Sequence, residues 1–239
     1  MTKKALNQNA KFVQQLMDTI ETDFIFGNKP IDRFNVIINN EKSANKDKTE
    51  LILKLKNKIS SIENCILKDN SNNLVLGDGN IDSPIMLIGE APSKNEDNSG
   101  HTFQGETGSL LKKMLSAINI NIKKVYCTYS VNFRPPEDRK PTTLEIKRYS
   151  IFLKEHISII NQKIIILMGG TAMEAITGLT SKVYSERGKW KEIILKNKTY
   201  PLMVTFNPSY LIRFPENKKY SWDDLKKIRH KIEDLNIKI

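Results

Sequence analysis

Cysteine and histidine are scarce in this chain, with two and three copies among 239 residues. Two thiols, Cys65 and Cys127, build no disulfide framework and alone are too few for a zinc or iron-sulfur centre, so they read as buried thiols. Long hydrophobic runs are missing as well. The longest, such as "IIILMGG", fall far short of the roughly 20 residues that cross a bilayer. The start, "MTKKALNQNAKF", carries no apolar stretch of signal-peptide length, so the expectation is a cytoplasmic protein with no membrane partner. Acid is also in short supply: 27 Asp and Glu stand against 38 Lys and Arg, a formal charge of +11. Such an excess favours a polyanionic partner, nucleic acid or an anionic surface. Part of it is compositional, because many lysines sit beside asparagines, as in "NNEKSANKDK".

What is present is a patterned core. The spacing of Phe12, Val13, Leu16, Met17 and Ile20 predicts one amphipathic helix and "TELILKLKNKISSI" a second, with the polar run over residues 39–50 read as a loop or linker between them. Residues 1–59 are therefore taken as a helical extension with a polar linker, and residues 60–239 as the domain. Beyond them, short β-rich runs ("IMLIG", "KVYCTYSV", "KIIILMG", "YPLMVTF") alternate with helical patterns ("GSLLKKMLSAI", "TTLEIKRYSIFLKEHI", "TAMEAI", "SWDDLKKIRHKI"). Continuous apolar strands separated by helices imply a three-layer α/β/α fold around a central, mostly parallel sheet.

In such sheets ligands bind beyond the carboxyl ends of the strands, which directs attention to the loops starting at Gly89, Thr128, Gly169 and Asn207. The first, "GEAPSKNED", places a glycine where backbone can approach a ligand, a proline that stiffens the loop, and carboxylates at Glu90, Glu96 and Asp97. An ordinary strand-to-helix loop with solvated acids would have the same composition.

The stretch "GEAPSKNEDNSGHTFQGETGSLL" resembles the first motif of the family 4 uracil-DNA glycosylases. Four more segments follow in the family's order: "VYCTYSVNFRPPEDRKPTTLEI", "IIILMGGTAMEAITG", "SERGKW" and "TFNPSYLIRFPENKKYSWDDLKKI". The resemblance runs from about residue 60 to the end. It implies an enzyme that flips uracil out of DNA and hydrolyses its N-glycosidic bond, leaving an abasic site. It also implies that Phe103 stacks on the base, that the Gly89, Ala91 and Pro92 backbone shapes the pocket with Glu90, and that Glu90 helps place the attacking water. Arg187, Ser209 and Arg213 would hold DNA phosphates, with Arg134, Arg139, Lys140, Lys189, Lys218 and Lys219 as further basic candidates. The expected partner is DNA, single- or double-stranded, and the expected state a monomer.

Three departures from the family pattern bear on activity. Where the family supplies a histidine to the leaving uracil, this chain has Asn207, whose amide donates a hydrogen bond but carries no charge. Where the family reads the uracil edge with an asparagine, this chain has Tyr129, which either pairs with the base through its hydroxyl or fills the pocket with its ring. The four cysteines of the family's iron-sulfur cluster align with Ile62, Cys65, Phe133 and Tyr149, so no cofactor and no metal are expected, and packing takes the cluster's place. His101, two residues before Phe103, is a candidate replacement donor, while His156 and His230 fall within helices and read as structural or surface residues. The alternative to an active glycosylase is a non-catalytic or specificity-shifted DNA-binding descendant of the same family.

Overall fold

Alternation decides the layers. In the computed structural model of the chain, residues 37–238 are described, with side chains from residue 47 onward. The helix expected over residues 12–20 lies outside the described residues. Met1–Glu41 and Lys42–Ile239 form separate units, and the features below belong to the second, apart from the start of the first helix.

That helix, α1 (Ile37–Ser60), runs through the stretch read above as a loop. The correction has a simple cause. Lys, Glu, Ala and Asp carry little or moderate helix penalty, so a polar run joined to an amphipathic segment can extend its helix without apolar anchors of its own. Glu50 and Lys54 add an i,i+4 pair at 2.7 Å. After the short α2 (Ile66–Asp69) come β1 (Gly77–Gly79), β2 (Ile85–Gly89), α3 (Lys94–Ser99), α4 (Gly105–Ser116) and β3 (Tyr126–Tyr129). Then follow α5 (Thr143–Ile160), β4 (Ile164–Met168), α6 (Gly170–Thr177), α7 (Val183–Glu186), β5 (Trp190–Leu195), β6 (Lys198–Thr205), α8 (Pro208–Arg213) and α9 (Lys218–Asp234).

The six strands form one sheet in the order β1-β3-β2-β4-β6-β5. Its four inner strands are parallel neighbours and are the runs read from the sequence. The two edge strands, β1 and β5, are antiparallel and make the sheet mixed. Because successive side chains on a strand point to opposite faces, each inner strand feeds two layers. Leu87, Cys127, Ile166 and Met203 meet Leu111 and Leu115 of α4 and Leu225 and Ile228 of α9. Met86, Ile88, Ile165, Leu167 and Val204 meet Leu153 and Ile157 of α5 and Met173 and Ile176 of α6. The result is the expected α/β/α sandwich.

β2 is followed in the chain by its neighbour on one side, β3, and the chain then crosses to place β4 on its other side. This reversal opens a crevice at the carboxyl ends of the strands, where the loops after Gly89 and Met168 come together.

Candidate active site

A cleft of about 870 Å³ lies in that crevice, lined among others by Glu90, Ala91, Pro92, Phe103, Tyr129, Gly169, Asn207, Ser209 and Arg213. Sequence positions spread over more than half the chain therefore share one wall. Gly89, at the end of β2, is the reason two rings fit beneath it. A β-carbon there would stand 2.7 Å from Tyr129 Cε1 and 2.9 Å from Phe103 Cζ, inside contact distance. The two rings pack against each other with centroids 5.0 Å apart.

Glu90 is held by two donors from distant segments. Asn207 Nδ2 donates to its Oε2 at 3.0 Å, and Thr171 Oγ1 donates to its Oε1 at 3.1 Å. Asn207 caps α8, its Oδ1 accepting from Ser209 N at 3.2 Å, so its amide is oriented at both ends. One of the two Nδ2 hydrogens is spent on Glu90, leaving the other for a ligand. Gly169 adopts φ of 98°, and a β-carbon on it would meet Glu90 Oε1 at 2.8 Å. The glycine thus serves both a left-handed turn and the close approach of the carboxylate. Thr171, fully buried, is a site residue that the sequence reading missed. Its signal was faint, a hydroxyl just after the Gly-Gly turn.

Tyr129 is buried, and its hydroxyl accepts a hydrogen bond from Phe103 N at 2.9 Å. Burial raises its ionisation well above the usual phenol range, and the nearby Glu96 carboxylate adds to the rise. The hydroxyl is engaged within the fold, and the ring is the part that packs against Phe103. Phe103 itself sits at φ of 49°, a conformation that bulky residues rarely adopt, at the start of the turn into α4.

The acids of the first loop have separate tasks. Glu96 and Asp97, which an ordinary loop would leave solvated, are both buried. Glu96 closes a capping box on α3 with Ser93 and accepts from Gln104 N at 2.8 Å, tying the Phe103 turn to that helix. Asp97 Oδ1 accepts from Asn72 N at 2.9 Å and Asn73 N at 3.0 Å, pinning the segment before β1. Only Glu90 of these three carboxylates is held by donors from beyond β4 and β6, Thr171 in the first turn of α6 and Asn207 at the cap of α8.

The remaining sequence candidates separate. Ser209 and Arg213 line the cleft. Arg187 points inward: its Nη2 lies 2.6 Å and its Nε 3.0 Å from the two oxygens of Asp224, a carboxylate with no exposure. Thr205 Oγ1 completes that cluster at 2.8 Å. Burial raises the Asp224 carboxyl, while Thr205 and Arg187 pull it down. His101 is exposed, lies outside the cleft lining and pairs with Asp78 at 3.0 Å. His156 is buried against Tyr126 Oη at 2.8 Å, and burial depresses its imidazole to about 4.

Ile62, Cys65, Phe133 and Tyr149 converge in one apolar cluster beneath α1. Cys65 Sγ stands 3.2 Å from Tyr149 Oη, and the Phe133 and Tyr149 rings meet edge to face at 6.3 Å. One thiol among a phenol and two hydrocarbon side chains does not fit an iron-sulfur cluster, which requires thiolate or imidazole on each iron.

The geometry defines a pocket at a topological switch point, with an oriented carboxylate, an amide donor and a tilted aromatic pair, on a basic chain. The family model "Uracil DNA glycosylase superfamily" matches residues 76–227, and the chain belongs to that family. Among its relatives is the "Type-4 uracil-DNA glycosylase" of Thermotoga maritima, 34% identical over 169 residues, covering 70% of this chain and 86% of the relative. The protein of the same name from Sulfurisphaera tokodaii is 34% identical over 188 residues, 74% of this chain and 82% of the relative. That from Archaeoglobus fulgidus is 30% identical over 174 residues, 71% and 87% respectively.

Proposed function

We propose that this chain is a uracil-DNA glycosylase that hydrolyses the N-glycosidic bond of uracil in DNA and works without an iron-sulfur cluster. The single observation that carries the reading is the Glu90 carboxylate, fixed in the cleft by Asn207 and Thr171. Family membership and the names of the relatives support the same chemistry.

In the reaction, the flipped uracil stacks on Phe103, whose ring is backed by Tyr129. Glu90 orients a water towards C1′ of the deoxyribose, and as the C1′–N1 bond breaks its electron pair passes into the base. Asn207 faces the negative charge that builds on a uracil oxygen with its unspent N–H. The water's oxygen ends on C1′, one of its protons ends on uracil, and the sugar is left abasic. An amide is a weaker stabiliser of that charge than a cationic imidazole, so chemistry is slower than in a histidine-bearing pocket. Ser209 and Arg213, on the cleft wall, hold the phosphates beside the flipped nucleotide.

The test is incubation with a uracil-containing oligonucleotide followed by alkaline cleavage, with a Glu90→Gln, Asn207→Ala double variant as control. Strand cleavage above that control is expected; none with any deaminated base would overturn the reading. Iron and sulfide analysis of freshly purified protein tests the cofactor statement, and stoichiometric iron with cluster absorbance would overturn it.

A further inference from the structure

One stretch of the cleft wall belongs to a feature that the base pocket does not use. Five aromatic rings run in unbroken contact from Tyr220 through Tyr184, Phe206 and Tyr210 to Phe214, with successive centroids 5.3, 6.2, 5.0 and 4.9 Å apart. The row is anchored in the site, since Phe206 is buried and immediately precedes Asn207. Tyr184 and Phe214 stand 55% and 44% exposed. Tyr184, Phe206 and Tyr210 line the cleft itself, so the row leads from its wall to the open surface.

Cations accompany the rings. The Arg187 guanidinium lies 5.6 Å from the Phe206 centroid and 5.3 Å from that of Tyr220, and Lys219 Nζ lies 5.0 Å from Tyr220. Lys140, Lys182 and Arg213 stand on the cleft wall without a carboxylate partner among the described residues. Of the wall's acids, Asp138 is paired with Arg134, which leaves Glu106 and the internally bonded Glu90 and Glu96. Arg187 is committed to Asp224, but Lys182, Arg213 and Lys219, next to Tyr184, Phe214 and Tyr220 in sequence or space, are in no ion pair among the described residues, and exposed rings beside such cations suit a polyanion that also presents aromatic faces. Base-on-aromatic stacking with a cationic track is how proteins hold single-stranded nucleic acid. Bases within a duplex spend their faces on one another and cannot use such a row.

We propose that the row from Tyr184 to Phe214 is a stacking platform for unpaired nucleotides next to the flipped uracil, so that the protein engages single-stranded or locally melted DNA in preference to duplex. The proposal rests on the glycosylase reading for the flipped base, but the platform itself needs no catalysis.

Its test is therefore a binding measurement on DNA free of uracil. A fluorescent strand of deoxyadenosine and deoxycytidine, which does not self-pair, is compared with its duplex and with an RNA strand of the same sequence, at fixed salt. Wild type is expected to prefer the DNA single strand. Tyr184→Ala with Phe214→Ala should weaken that binding about tenfold or more while changing duplex binding little, and Tyr184→Phe with Phe214→Tyr should restore it. Phe214→Ala alone, at the exposed end of the row, guards against misfolding of the double variant, with a thermal melt of each. Equal wild-type affinity for both DNA forms, equal weakening of both, or tighter binding of RNA would overturn the platform. Uracil excision is scored separately. No excision alongside single-strand binding that needs Tyr184 and Phe214 would sink the glycosylase reading and leave the platform, whereas excision indifferent to strandedness and to both rings would do the reverse.

Discussion

Asn207 and Glu90, 117 residues apart in sequence, share a hydrogen bond of 3.0 Å on the wall of the cleft. The amide is therefore more than a substitute for a histidine, because it also sets the rotamer of the carboxylate beside it. Asn207→Ala should lower single-turnover uracil excision by about a hundredfold to a thousandfold, with little change in DNA affinity. Asn207→His, which adds a donor able to carry charge, should raise excision above wild type by about tenfold. A histidine variant slower than wild type would show that the Asn207 to Glu90 geometry matters more than charge.

Tyr129 offers a second check. Its hydroxyl accepts from Phe103 N, so Tyr129→Phe removes an internal bond and leaves the ring in place. The expected cost is about 1–3 kcal/mol of stability by denaturant unfolding, since a buried N–H loses its partner. KM for uracil-containing DNA should hold. A large rise in KM, or acceptance of a new base, would mean that the hydroxyl reads the substrate.

Arg187 separates structure from DNA contact. Its guanidinium is committed to a carboxylate with no exposure, and removing one partner of a buried ion pair strands the other. Arg187→Ala should destabilise the protein by roughly 3 kcal/mol. The salt dependence of DNA binding should keep its slope, because no phosphate contact is lost, whereas Arg213→Ala should make the slope shallower by about one unit.

Acid should weaken the fold through His156. Its folded imidazole titrates near 4 against an ordinary 6.5, so between those values the unfolded chain binds more protons than the folded one. Stability from this group is full above pH about 6.5 and is lost as pH falls towards 4, by up to about 3 kcal/mol. Melting temperatures measured from pH 7 to pH 4 should fall accordingly, and His156→Gln should flatten that part of the profile.

The inner sheet was legible because its strands are short unbroken apolar runs, such as "IMLIG" and "IIILM", set between helical patterns. The edges were not. β1 is three residues, two of them glycine, with no period to read. β5 is joined to β6 through Lys196 and Asn197, whose φ values of 46° and 62° mark a tight hairpin turn that "KN" signals weakly. The polar half of α1 hid because helix propensity leaves no apolar stripe. In the site, Glu90, Phe103, Tyr129 and Asn207 could be named from motif likeness and do meet at one cleft. Thr171 could not, and neither could the inward turn of Arg187, because each depends on a partner from a distant loop. The aromatic row was equally invisible: its rings come from three separate chain segments.

The two donors that hold Glu90 lie 81 and 117 residues downstream of it. A ribosome that has made only the first half of this chain has made the carboxylate but neither of its holders. A product that ends before Asn207 consequently lacks a donor that holds Glu90, and such fragments should excise no uracil however well their strands pair.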